Sequence, residues 1–158
     1  MIPSVPETSE MKGRLMLKDV PIRDWMTGDV ITVAPDTPIA NAHQIMKQNK
    51  IRRLVVIEKE KIVGMVTIGD IREASPSDAT SLSIWEMNYL WAQLKVAGVM
   101  TKEVVKVQAD EPVINAARIM LEKKISGLPV MDGDKHLVGI ITESDVFRML
   151  VKSADDGM

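Results

Sequence analysis

The 158-residue sequence predicts an α/β (α+β) fold built twice: two β-α-β-β-α units forming a pseudo-symmetric pair, with one extra helix between them. Three observations carry this. The stretch from Met26-Thr27 to Asp70 reappears as Met100-Thr101 to Asp145, at an offset of about 74 residues. Within each copy the hydrophobic pattern changes from short β-branched runs to helical spacing and back, in the same order. A three-stranded sheet with two helices is too small to hide both of its faces, so each copy needs the other as a packing partner.

The shared elements are Met-Thr-x-x-Val-x-x-Val, Asp-x-Pro, Asn-Ala-x-x-Ile-Met, Lys-Ile-x-x-Leu-x-Val and Val-Gly-x-x-Thr-x-x-Asp, with one added residue after Ile57 in the second copy. In the first copy, Val30–Val33 is a β-branched run and predicts a strand. Asp36-Thr37-Pro38 then predicts a cap with proline at the first helical position. Ile39, Ala42, Ile45 and Met46 continue at helical spacing, which predicts an amphipathic helix over about 38–49. Leu54–Ile57 and Ile62–Val66 read as paired strands around a charged turn, and a short helix begins near Asp70. The second copy repeats the order: Val104–Val107, a helix over 112–124, Leu128–Met131, a turn at 132–134, Leu137–Ile141, and a helix from about 143 to 152.

The domain plan is a flexible lead-in at 1–17, repeat one at 18–75, a linker at 76–95, repeat two at 96–152 and a tail at 153–158. The linker holds turn formers and then a helix over about 83–95, where Ile84, Met87, Leu90, Trp91 and Leu94 form an apolar stripe. Trp85, Tyr89 and Trp91 put three of the five aromatics on this element. It either packs over its own domain or makes a dimer contact, since Trp and Tyr are enriched in interfaces.

Composition narrows the function classes. The chain is 46% hydrophobic and 27% charged, with a formal charge of −2 and no basic footprint for nucleic acid. It has no cysteine, which excludes disulfides, thiolate catalysis and Cys-based zinc sites. No apolar run approaches membrane length, so a cytoplasmic protein is expected. His43 and His136 lack ligand spacing, and there is no phosphate-binding glycine loop of either familiar type. Glu143 and Asp145 have no nucleophile or tuned base beside them, so neither a catalytic residue nor a metal site is expected.

Two features point to ligand chemistry. Thr67/Asp70 and Thr142/Asp145 have the spacing of a capping box, which by itself merely starts a helix. The same carboxylate can accept two ribose hydroxyls, and free N–H groups at a helix start suit a phosphate. A glycine-bearing strand precedes each pair, which suits a ligand approaching the backbone closely. The other feature is Arg52-Arg53, where the second copy has Ser126-Gly127; these guanidiniums are either solvated surface charge or forks for phosphate oxygens.

Taken together, the repeated Met-Thr…Val…Val, the Ile-x-x-Leu-(Pro)-Val strand and the closing Gly-x-x-Thr-x-x-Asp resemble a tandem pair of CBS domains, over roughly residues 18–152. The Trp-rich helix between the copies is similar to that of small stand-alone CBS-pair proteins (Bateman modules) of bacteria and archaea. The resemblance implies that the two sheets pack face to face, leaving two clefts related by a pseudo-two-fold axis. It implies a non-catalytic sensor whose regulatory ligand is an adenosine nucleotide (AMP, ADP or ATP), with S-adenosylmethionine as an alternative. It also implies a homodimer and a possible regulated protein partner; the alternative is an interaction module with vestigial clefts. By motif position, the stronger site would comprise Asp145 and Thr142 for the ribose, with Met100, Val105, Ser126, Gly127, Leu128 and Pro129 flanking the adenine. Arg52 and Arg53 would reach this stronger site from the other copy, since they resemble the basic residues that reach phosphates across the interface in the gamma subunit of AMP-activated protein kinase. Asp70, Thr67, Met26 and Ile31 would form the weaker site, because copy one has Val55 where proline is usual and bulky arginines beside it.

Overall fold

The computed structural model describes residues 18–75 and 82–156; the expected lead-in at 1–17 and the turn formers at 76–81 lie outside them. The chain divides into two compact units. The first is Val30–Val104, and the second combines the chain up to Asp29 with Val105 onward.

In the first unit, strand β1 (Thr32–Val33) runs parallel to β2 (Arg53–Glu58), which pairs antiparallel with β3 (Lys61–Thr67). Helix α1 (Ile39–Asn49) joins β1 to β2, and α2 (Ile68–Ala74) follows β3. The apolar spacing of α1 turns Ala42 and Met46 onto Leu54, Val56 and Val66 of the sheet, and Ile71 of α2 closes the same core. The helix ends at Lys50, which takes the left-handed conformation (φ 54°) so that Ile51 N–H reaches back to the Met46 carbonyl at 3.0 Å. Helix α3 (Ile84–Gln93) is started by a Ser83/Glu86 capping box and buries no residue fully. Trp91 is its contact with the core, while Trp85 stays 83% exposed.

The second unit repeats this plan with β4 (Val107–Gln108), α4 (Val113–Lys123), β5 (Gly127–Met131), β6 (Leu137–Thr142) and α5 (Glu143–Asp155). Strand β4 is parallel to β5, and β5 is antiparallel to β6. Val107, Val113, Ala116, Met120, Leu128, Val130, Ile141 and Met149 form its core. Helix α5 runs to Asp155, past the expected end at 152.

The expected strands and helices appear in the expected order, although the strand expected at Val104–Val107 lies at Val107–Gln108, and each sheet is completed by a segment from the other repeat. Ile22, Val20, Trp25 and Met26 pack into the second unit's core, and Val96, Val99 and Met100 pack into the first unit's. The hydrogen bonds match pair for pair. Thr27 exchanges two main-chain bonds with Ile140 (2.9 and 3.0 Å), and Thr101 exchanges two with Met65 (2.9 and 3.0 Å). The expected helix caps are corrected by the same contacts. Pro38 and Pro112 are themselves the N-caps, without a side-chain bond, and the first helical N–H is taken by a main-chain carbonyl. Ile39 N–H donates to Leu94 O at 3.1 Å, and Val113 N–H to Val20 O at 2.8 Å. Among the described residues, no helix is long and apolar enough to cross a membrane.

Candidate functional site

The glycines before each Thr-x-x-Asp have a structural occupant. A Cβ on Gly64 would fall 2.9 Å from Met100 Cγ and 3.0 Å from Thr101 O, and closer still to the Met100 sulfur. A Cβ on Gly139 would meet Met26 and Thr27 in the same way. The expectation that these glycines admit a ligand to the backbone is therefore corrected. A methionine lies there, and the Met-Thr and Val-Gly motifs are one packing device written in two places.

This places the predicted site residues as follows. Met100 belongs to the unit that carries Asp70, and Met26 to the unit that carries Asp145, opposite to the grouping expected from motif position. Ile31 packs on the first unit's core and Val105 on the second's. Leu128 is wholly buried among the core residues of the second unit, so its side chain faces α4 and α5 rather than a ligand. Gly127 and Pro129 are buried in β5, and the Ser126 carbonyl accepts the Glu143 N–H at 3.1 Å, which holds the strand start beside the helix start. The equivalent bond in the first unit runs from Ile68 N–H to the Arg52 carbonyl at 2.8 Å.

Both closing acids sit in capping boxes. Asp70 Oδ2 accepts the Thr67 N–H at 2.8 Å, and Thr67 Oγ1 accepts the Asp70 N–H at 3.2 Å. Asp145 Oδ2 accepts from both the Thr142 N–H (2.9 Å) and its hydroxyl (3.1 Å). The other oxygens differ. Asp145 is 2% exposed, and its Oδ1 is held by Arg148 Nη1 at 2.8 Å. Asp70 is half-buried, Glu73 stands at the position of that arginine, and no bond joins its Oδ1 to another described residue. A carboxylate oxygen keeps lone pairs beyond one bond, so Asp70 is the readier acceptor for hydroxyl donors.

Arg52 and Arg53 part company. Arg52 is exposed on the side of the sheet covered by α1 and α2, beside Met46 and Ile68. Arg53 opens β2 opposite Thr67, and strand alternation sends it to the other face, with Val55. Among the described residues, Asp132, Asp134 and His136 come within reach of one another in the β5–β6 turn. Asp132 Oδ1 there accepts the N–H groups of Asp134 (2.9 Å) and His136 (2.8 Å), an Asx turn. Those backbone bonds, His136's foremost, hold the Asp132 carboxyl below its ordinary range.

The CBS domain family matches residues 22–77 and 96–152. The chain belongs to that family. The crystal structure of the CBS domain pair of protein MJ0100, in complex with 5′-methylthioadenosine and S-adenosyl-L-methionine, superposes with a TM-score of 0.70 at 28% identity, over 84% of this chain and 97% of that one. CBSX2 in complex with AMP gives a TM-score of 0.70 at 29% identity, over 84% and 97%. A homoserine O-acetyltransferase of Methanosalsum zhilinae is 33% identical over 85% of this chain. The chain spans only about a quarter of that enzyme's length. The two-sheet α/β architecture of this CBS pair is that of these neighbours.

Proposed function

We propose that this CBS pair is a non-catalytic regulatory module that binds an adenosine nucleotide, AMP, ADP or ATP, through the acids closing its two repeats. The single observation carrying the reading is the paired Thr-x-x-Asp geometry, which fixes a carboxylate at the end of each sheet by its own helix start. One oxygen of each acid is used for the cap; the other is unbonded by described residues in Asp70 and held by Arg148 in Asp145. Ribose hydroxyls are suitable donors, each bond to a carboxylate contributing about 1.5–3 kcal/mol. The AMP and S-adenosyl-L-methionine complexes of structurally similar CBS pairs support the class of ligand. Asp70 is the first acceptor in this reading, since Asp145 is buried and shares its second oxygen with Arg148. The expected order of the two sites is thereby reversed.

The test is calorimetric titration of nucleotide-stripped protein with AMP, ATP and S-adenosylmethionine. Saturable binding of at least one is expected, and silence with all three refutes the reading. A second reading, a protein-interaction or dimerisation module, is favoured by the exposed Ile84, Trp85, Tyr89 and Leu90 on α3. Light scattering at high concentration tests it: a homodimer supports it, and a persistent monomer counts against self-association.

A further inference from the structure

A groove of about 510 Å³ lies on the helix-covered side of the first unit, and five basic side chains line it: His43, Lys47, Lys50, Arg52 and Arg72. No acid is among its lining residues. None of the five side chains forms a salt bridge or hydrogen bond with another described residue. The His43 ring stacks loosely on Trp91, with centroids 6.5 Å apart. Lys47 and Lys50 come from the last turn and C-cap of α1, Arg52 from the residue just before β2 and Arg72 from α2. Gathering four cations, Lys47, Lys50, Arg52 and Arg72, with no paired acid among the described residues costs stability through mutual repulsion, in a chain whose formal charge is −2.

The second repeat is an internal control. At the positions matching His43, Lys47, Arg52 and Arg72 it has Ala117, Leu121, Ser126 and Phe147, and only Lys124 keeps its charge opposite Lys50. The fold therefore does not require the cations.

We propose that this groove binds a small anion carrying two or more phosphate groups. Two guanidiniums supply planar forks for phosphate oxygens, and two ammonium groups supply compact charge beside them. Met46 and Ile51 add apolar surface to the lining, while Lys47, Lys50, Arg52 and Arg72 remain exposed to incoming ions. The volume is that of a small-molecule site rather than a flat nucleic-acid track. Of the residues expected at the adenosine sites only Arg52 lines the groove; neither Asp70 nor Asp145 does, so the two readings are tested apart.

The experiment is calorimetric titration of the full chain with inorganic tripolyphosphate at low and moderate salt. One saturable site per chain, weakening as salt rises, is expected. Lys47→Glu with Arg72→Glu should weaken it by about tenfold to a hundredfold. The neutral pair Lys47→Gln with Arg72→Gln should weaken it in the same direction, and serves if the reversal disturbs folding. Lys102→Glu with Lys106→Glu makes the same change of net charge on exposed lysines elsewhere and should leave binding unchanged. Asp70→Ala should also leave it unchanged while lowering AMP affinity, which separates failure here from failure of the adenosine reading. The proposal is overturned by absence of tripolyphosphate binding, by equal loss in both charge-reversal pairs, or by loss in Asp70→Ala alone. Tighter binding of a polyglutamate peptide than of tripolyphosphate would also overturn it, assigning the groove to an acidic protein segment.

Discussion

The two units share a backbone plan down to single hydrogen bonds, yet they present different chemistry at the same places. In the first, the closing acid keeps one oxygen unbonded by described residues, and the helix side of the sheet carries a groove of cations with no partner among the described residues. In the second, the closing acid is buried against Arg148, and the matching helix surface shows Leu121 at 80% exposure and Phe147 at 62%. The cores are near copies, because Ala42/Ala116, Met46/Met120, Leu54/Leu128 and Val56/Val130 occupy matching places. What a duplicated fold must keep is its interior and its main-chain bonds; its ligand-facing atoms are free to diverge.

The largest expected effect tests the shared part. Gly64→Ala and Gly139→Ala should each destabilise the protein by about 1–3 kcal/mol in chemical denaturation, because the added methyl meets a packed methionine and a main-chain oxygen. A marked inequality between the two would break the symmetry of the exchange. The next effect tests the divergent part. Asp70→Ala should weaken AMP binding by about tenfold to a hundredfold, and Asp145→Ala should do less. Arg148→Ala should strengthen binding at the second unit by releasing Asp145 Oδ1; unchanged titrations would show that the ion pair does not compete with ligand.

Smaller changes separate stability from binding. Lys50→Gly and Lys124→Gly remove left-handed lysines (φ 54° and 55°) and should each raise stability by about 0.5–1 kcal/mol in thermal melts. Of the two, Lys50→Gly alone should lower tripolyphosphate affinity. The smallest effect belongs to the β5–β6 turn. Asp132 is held below the ordinary carboxyl range by its bonds from His136 and Asp134, so its charged form is favoured in the folded state. Its contribution is present above the unfolded pKa and disappears as pH falls through the lowered folded value. Asp132→Asn should therefore flatten the acid limb of the stability profile, measured as melting temperature from neutral pH down to strongly acidic conditions.

Most of the fold was legible because its signals are local. The helical spacing of Ile39, Ala42, Ile45 and Met46, and the β-branched runs at Leu54–Ile57 and Ile62–Val66, report on their own neighbours in the chain. Less of the candidate site was legible. Thr142 and Asp145 were found by spacing, but whether Arg148 pairs with that acid depends on side-chain packing. His43 and Lys47, four apart on α1, carried a signal, since the second copy lacks it there. Their convergence with Arg52 and Arg72 required α1, β2 and α2 to be assembled first.

The sequence by itself determined the duplication, the order of strands and helices in each copy, and the core positions, since periodicity and turn chemistry act over a few residues. Only the tertiary structure decided that Met26-Thr27 completes the second repeat's sheet and Met100-Thr101 the first's. The physical reason is degeneracy. Both sheets offer the same glycine beside a β-strand edge, so a Met-Thr segment carries no local mark of which one it joins. Chain path and packing, which no short window of residues contains, make that choice.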